Sequence, residues 1–83
     1  MTYRLSTEDK NRDKLIEILT RKFDAFTITP SLGFWKGCPE KSVQIEIDGA
    51  QEESVREVAE EIKIANEQEA VLIQAYETKG ELV

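Results

Sequence analysis

Between Ser42 and Asp48 apolar and polar residues alternate without a break: Val43, Ile45 and Ile47 on one parity, Ser42, Gln44, Glu46 and Asp48 on the other. Side chains of a strand point alternately to its two faces, so this segment reads as a strand with one face in a core and one in water. The pattern belongs to antiparallel sheets, because strands of parallel sheets are covered on both faces and read as continuous apolar runs. The remaining residues must therefore supply neighbouring strands and a layer to cover one face.

The flanking segments offer both. Thr2 to Leu5 reads as a short strand, with Tyr3 and Leu5 on one side and Thr2 and Arg4 on the other. Ser6 and Thr7 are N-cap residue types, followed by the acidic Glu8 and Asp9, a helix-start signature. A first helix is expected from there to about Phe23, with Leu15, Ile16, Ile18, Leu19 and Phe23 as its apolar stripe. From Ala25 the period becomes two, with Phe26 and Ile28 alternating with Thr27 and Thr29. Pro30 cannot donate to a ladder, so this strand is expected to bend or to lie at an edge. Ser31-Leu32-Gly33 reads as a bulge or turn, Phe34 to Lys36 as a resumption, and Gly37 to Lys41 as the tip of a hairpin. Gly49 ends the alternating strand. A second helix follows over Glu52–Asn66, with the stripe Val55, Val58, Ala59, Ile62 and Ala65. Ala70–Glu77 forms a last strand, and residues 78–83 form a tail. The order strand, helix, strand, strand, helix, strand, with right-handed crossovers, predicts one α+β domain over residues 1–83. It is a ferredoxin-like βαββαβ sandwich, with a four-stranded antiparallel sheet and two helices on one face.

Composition excludes more than it assigns. A net charge of −6 opposes binding to nucleic-acid backbones, which takes a basic footprint, and to anionic membrane surfaces. Histidine is absent and Cys38 is the only cysteine, which disfavours a transition-metal site and leaves no intrachain disulfide; a carboxylate site for magnesium or calcium stays open in principle, and no metal and no cofactor are assigned. The flanking Lys36 and Lys41 could lower the Cys38 thiol pKa, but a nucleophile also needs a base, and no catalytic residue is assigned. The start Met1-Thr2-Tyr3-Arg4 shows no apolar leader and no stretch is long enough to span a bilayer. The expectation is a cytoplasmic protein, in the host cytoplasm if viral.

The candidate binding residues cluster around the only tryptophan. If the strand keeps its register from Phe26, Phe34 falls on the core parity and Trp35 on the wet one, where an aromatic could stack on a partner or ligand. If Pro30 or Gly33 shifts the register by one, Trp35 turns into the core. Both outcomes stay open. Lys36, Arg4 and Glu46 are placed around Trp35 on the open face. Ile64 lies about 180° around the second helix from Val55 and is a candidate contact for a second copy, in a homodimer, or for another partner. The glutamates of that helix read as a solvated face.

Three segments carry a resemblance: Gly33-Phe34-Trp35-Lys36-Gly37, Glu40-Lys41-Ser42-Val43-Gln44-Ile45-Glu46-Ile47 and Asn66-Glu67-Gln68-Glu69-Ala70-Val71-Leu72. Together these resemble small uncharacterised proteins of phages and prophages, which share a Gly-aromatic-Trp-x-Gly turn, a Ser-x-x-Ile-Glu-Ile-like strand and a Gln-Glu-Ala-Val-Leu strand start. The resemblance implies a mobile-element origin and assigns no activity or functional residue. With the small size, the acidity and the lack of catalytic groups, it leads to the expectation of a non-enzymatic binding protein. Such a protein would act stoichiometrically on a host protein or a small ligand, for example in counter-defence of the anti-CRISPR kind. Its Phe34-Trp35-Lys36 hairpin or its acidic second helix would block a basic surface. The alternatives are an ACT-like regulatory module that binds a small molecule at a dimer interface, and a small enzyme acting through carboxylates.

Overall fold

In the computed structural model, which describes residues 1–83, the elements follow as β1 (Thr2–Glu8), α1 (Arg12–Lys22), β2 (Thr27–Trp35), β3 (Cys38–Asp48), α2 (Glu52–Ala65) and β4 (Leu72–Tyr76). The four strands form one sheet in the order β2-β3-β1-β4, every neighbouring pair antiparallel. This is the expected ferredoxin-like α+β arrangement. No helix is long and apolar enough to cross a membrane.

The alternation that defines β3 is used as expected. Val43, Ile45 and Ile47 are buried and join Tyr3 and Leu5 of β1 beneath Leu15, Ile18 and Leu19 of α1 and Val55, Val58, Ala59 and Ile62 of α2. Phe23, Phe26, Ile28, Val71 and Ile73 close the margins of this core. Ile16 is 41% exposed and Ala65 is exposed, so both leave the stripes expected of them. At 100° per residue Ile16 lies about 110° and Ala65 about 70° from the centre of its helix's buried arc, outside its edge in both cases. Ion pairs bind the two helices to each other on the outside, Lys22 to Glu57 at 2.6 Å and Arg21 to Glu61 at 3.5 Å.

Three local expectations are corrected. Ser6 and Thr7 do not cap a helix; β1 runs on to Glu8, with Thr7 opposite Val43 and Glu8 opposite Ser42. The reason is tertiary: β3 is long enough to offer partners to these residues, and Thr7 buries its side chain on the core face. The cap position falls instead to Asn11, in a left-handed conformation with no side-chain cap. The second correction concerns β2. Its register with β3 is continuous from Thr27↔Glu46 to Trp35↔Cys38, with Pro30 opposite Val43. There is no bulge at Ser31-Leu32-Gly33, because Pro30 sits on an edge strand where its missing N–H breaks nothing. The third is the hairpin tip. Cys38 to Lys41 belong to β3, and only Lys36 and Gly37 turn, both at positive φ (51° and 80°). That is the type I′ geometry, whose twist matches the strands it joins.

Candidate functional site

Strands and helices of equal residue number differ in length, and the site follows from that difference. The 11 residues of β3 extend about 36 Å at roughly 3.3 Å each. The 11 residues of α1 and 14 of α2 extend only about 16 and 21 Å at 1.5 Å each. The β2–β3 hairpin therefore projects past the helices, and the molecule measures 40 × 24 × 20 Å. On the helix-facing parity of the projecting end, Leu32 and Phe34 have nothing above them and are 66% and 69% exposed. On the open face Trp35 is 52% exposed. The uninterrupted register settles the parity question: Trp35 shares the open face with Thr27, Thr29 and Ser31.

Between this hairpin and the α2–β4 loop lies a groove of about 780 Å³. Its floor is small and polar, made by Ser6, Ser31, Ser42 and Gln44. The Ser31 and Ser42 hydroxyls are 2.9 Å apart. A Cβ on Gly33 of β2 would come within 3.3 Å of Ser42 Oγ on the paired strand β3, so the glycine keeps the Ser42 hydroxyl uncrowded on the floor. One wall is Trp35 and Lys36; the other is Glu67 to Leu72. Lys36 Nζ and Glu69 Oε2 face each other across the mouth at 4.0 Å, and Lys36 Nζ lies 5.6 Å from the centre of the Trp35 ring.

The second wall is built from β1. The buried Thr7 hydroxyl donates to Gln68 Oε1 at 2.7 Å, the Asn66 side-chain amide donates to the same oxygen at 3.1 Å, and Gln68 Nε2 donates to the Ala70 carbonyl at 2.7 Å. At the end of α2, the Gln68 N–H donates to the Lys63 carbonyl and the Glu67 N–H to the Ile64 carbonyl. This is a Schellman closure with Glu67 at φ 53° in the place glycine usually takes. The non-glycine residues at positive φ are Asn11, Lys36 and Glu67; Lys36 and Glu67 line opposite walls, and Asn11 adjoins Lys10, which lines an end. Backbone held in such conformations concentrates at functional sites.

Charge in the groove is unbalanced. Glu8, Glu40, Glu67 and Glu69 line it against Lys10 and Lys36. Lys10 is held by Glu8 at 3.0 Å and Lys36 faces Glu69, which leaves Glu40 and Glu67 without a cationic partner. Apolar surface at Trp35 and Leu72, two uncompensated carboxylates and a hydroxyl-lined floor give the groove an acidic, partly apolar lining.

The sequence-derived candidates divide. Phe34, Trp35 and Lys36 come together at the hairpin end. Arg4 and Glu46 share the open face but lie at its other end, paired to each other at 2.9 Å, with the Arg4 guanidinium 5.0 Å from the Tyr76 ring centre. They line a separate depression with Thr2, Asp48 and Tyr76. There the Thr2 hydroxyl bonds to Asp48 and to Thr78. Ile64 is 73% exposed on α2 and lines neither the groove nor this depression. Cys38 is exposed opposite Trp35. Lys22, whose pKa is raised above its ordinary value by its hydrogen bond to Glu57 and then by that carboxylate's charge, belongs to the helix layer. Sequence reasoning missed Leu32, Leu72, Gln68 and Glu67. Leu32 shares the parity of Phe34 and was legible once the bulge was dropped; no sequence signal brings the α2–β4 loop to the hairpin. No protein-family model and no curated protein matches this chain.

Proposed function

We propose that the chain is a non-enzymatic binding protein whose groove takes a basic, partly apolar segment of a partner protein in a one-to-one complex. The observation that carries this reading is the pairing of exposed Leu32, Phe34, Trp35 and Leu72 with a groove lined by four carboxylates and two lysines. Aromatic anchors beside an electrostatically complementary rim are what dominate protein recognition. The absence of histidine and the small size of the chain agree with a blocking role, in which occupancy of a basic host surface is itself the activity. With the resemblance to small phage and prophage proteins, this favours a mobile-element protein that acts against a host defence factor, the anti-CRISPR kind being the sharpest form of the idea.

The test uses the immobilised full chain and lysates of candidate bacterial hosts, with Trp35→Ala and Glu40→Gln/Glu67→Gln proteins alongside. The expected result is a stoichiometric partner that the native protein retains at low salt. Its affinity falls at least about tenfold with Trp35→Ala, and less with the double glutamine variant. Retention that is indifferent to Trp35 and to the carboxylates contradicts the reading. Expression of the protein in a host carrying an active CRISPR system, followed by plaque counts of a targeted phage, separates the counter-defence form from binding in general.

A further inference from the structure

The sheet has two edges, β2 and β4, and they are guarded differently. β2 carries Pro30, which has no N–H to offer a further strand. β4 is Leu72-Ile73-Gln74-Ala75-Tyr76, with no proline and no charge. It pairs with β1 on one side only, and its Leu72 and Tyr76 are 55% and 38% exposed. Such an edge is a ready template for another strand.

We infer that β4 pairs with β4 of a second copy, antiparallel about a two-fold axis at Gln74, so that two four-stranded sheets become one sheet of eight with all helices on one side. The occupant follows from the self-complementarity of the strand. Pairing centred on Gln74 sets Leu72 opposite Tyr76 of the second copy, Ile73 opposite Ala75 and Gln74 opposite Gln74. Leu72 and Tyr76 share the open face with Gln74, since they lie opposite Ser6, Thr2 and Arg4 of β1. Each therefore leaves water against the other, and cross-strand pairs of this kind stabilise a sheet. The small Ala75 leaves room for Ile73. The same register brings Glu69, five residues before Gln74, opposite Lys79, five residues after it, and symmetry makes this match twice.

The adjoining registers that also keep the helices on one side are centred on Ile73 or Ala75. They would set Glu69 opposite Glu77 or Glu81, and like charges across a strand pair are destabilising. The axis at Gln74 pairs all five residues of β4 with residues of β4, where an axis at Ile73 or Ala75 pairs only three, and it sets the first charges that meet outside the strand, Glu69 and Lys79, in opposition of sign. The pairing shares Leu72 and Glu69 with one wall of the groove and uses neither Trp35 nor Lys36 of the other.

Sedimentation velocity of the full chain over a concentration series reads the association, and cysteine scanning reads the register. In a Cys38→Ser background, Gln74→Cys, Ile73→Cys and Ala75→Cys proteins are oxidised with copper phenanthroline. Residues directly opposed in an antiparallel pair are about 4.5–5.5 Å apart at Cα, within disulfide range. The expected result is a concentration-dependent dimer that cross-links through Gln74→Cys and not through the other two. Gln74→Lys, which sets two ammonium groups face to face on the surface, weakens the dimer at least about tenfold, and Trp35→Ala leaves it unchanged. A monomer at millimolar concentration, a dimer indifferent to Gln74→Lys, or equal cross-linking at all three positions overturns the inference. The cysteine series reads the register even if the lysine variant does not fold.

Discussion

The helix-facing side of the sheet has two ends that obey the same alternation and meet opposite fates. At one end Val43 and Ile45 are fully buried. At the other, Leu32 and Phe34 continue that face along β2 and are mostly exposed. Nothing in their chemistry separates these residues; what differs is whether a helix lies above them. An exposed leucine alone means little. Leucine, phenylalanine, tryptophan and a second leucine lining one groove, with the strands carried past the helices to hold them there, form an apolar patch of the kind found at interaction surfaces, and the proposed binding role rests on it.

Substitution at matched positions of the two ends breaks that comparison most sharply. Ile45→Ala is expected to cost about 2–5 kcal/mol in urea unfolding, a large part of the roughly 5–15 kcal/mol that holds a small domain together. Phe34→Ala is expected to stay within about 0.5 kcal/mol of the native protein. Equal losses would mean that the hairpin end belongs to the core.

The junction between the ends comes next. Thr7 sits in the core face but holds the groove wall through Gln68. Thr7→Val removes that donor at nearly constant volume and is expected to cost about 1–2 kcal/mol. It should also speed amide exchange across residues 67–71 while exchange in the α2 interior is unchanged. A uniform rise in exchange would place Thr7 in the general stability of the fold and not in the wall.

Smaller effects sharpen the picture. Glu67→Gly relieves a left-handed backbone but adds freedom to the unfolded chain. A gain of a few tenths to about 1 kcal/mol in stability is expected, with weaker partner binding through loss of the carboxylate. A loss of stability would contradict the strain. The smallest effect concerns the helix layer. The Lys22 pKa is raised by Glu57, so the contribution of this pair is fully present below the ordinary lysine pKa. It disappears as pH climbs through the raised value. Native and Lys22→Met proteins should therefore show the same pH dependence of stability from neutral to mildly alkaline pH, and diverge only in strong alkali. Divergence near neutrality would point to another titrating group.

Most of the architecture was legible from patterns that local chemistry controls. The alternation of Ser42–Asp48 named the buried side of β3, the parity of Tyr3 and Leu5 named that of β1, and Val55, Val58, Ala59 and Ile62 named the inner face of α2. The misreadings share one cause. Ser6-Thr7-Glu8-Asp9 is a good helix start in isolation, and Cys38-Pro39-Glu40-Lys41 a good turn, yet both are drawn into strands by partners far away in sequence. Pro30 and Gly33 suggested a bulge because their local preferences say nothing of an edge position. The site was half legible: the Trp35 hairpin announced itself as an aromatic in a polar turn, while the opposite wall depends on the Thr7–Gln68 bond, which spans 61 residues of chain.

The central claim is that Trp35 stands in solvent on the open face until a partner covers it. Because it is the only tryptophan, acrylamide quenching of its fluorescence reports on that claim alone. The account predicts red-shifted, readily quenched emission from the free protein, and a blue shift with protection from quencher when a partner fills the groove. Blue-shifted, shielded emission from the free monomer would contradict it.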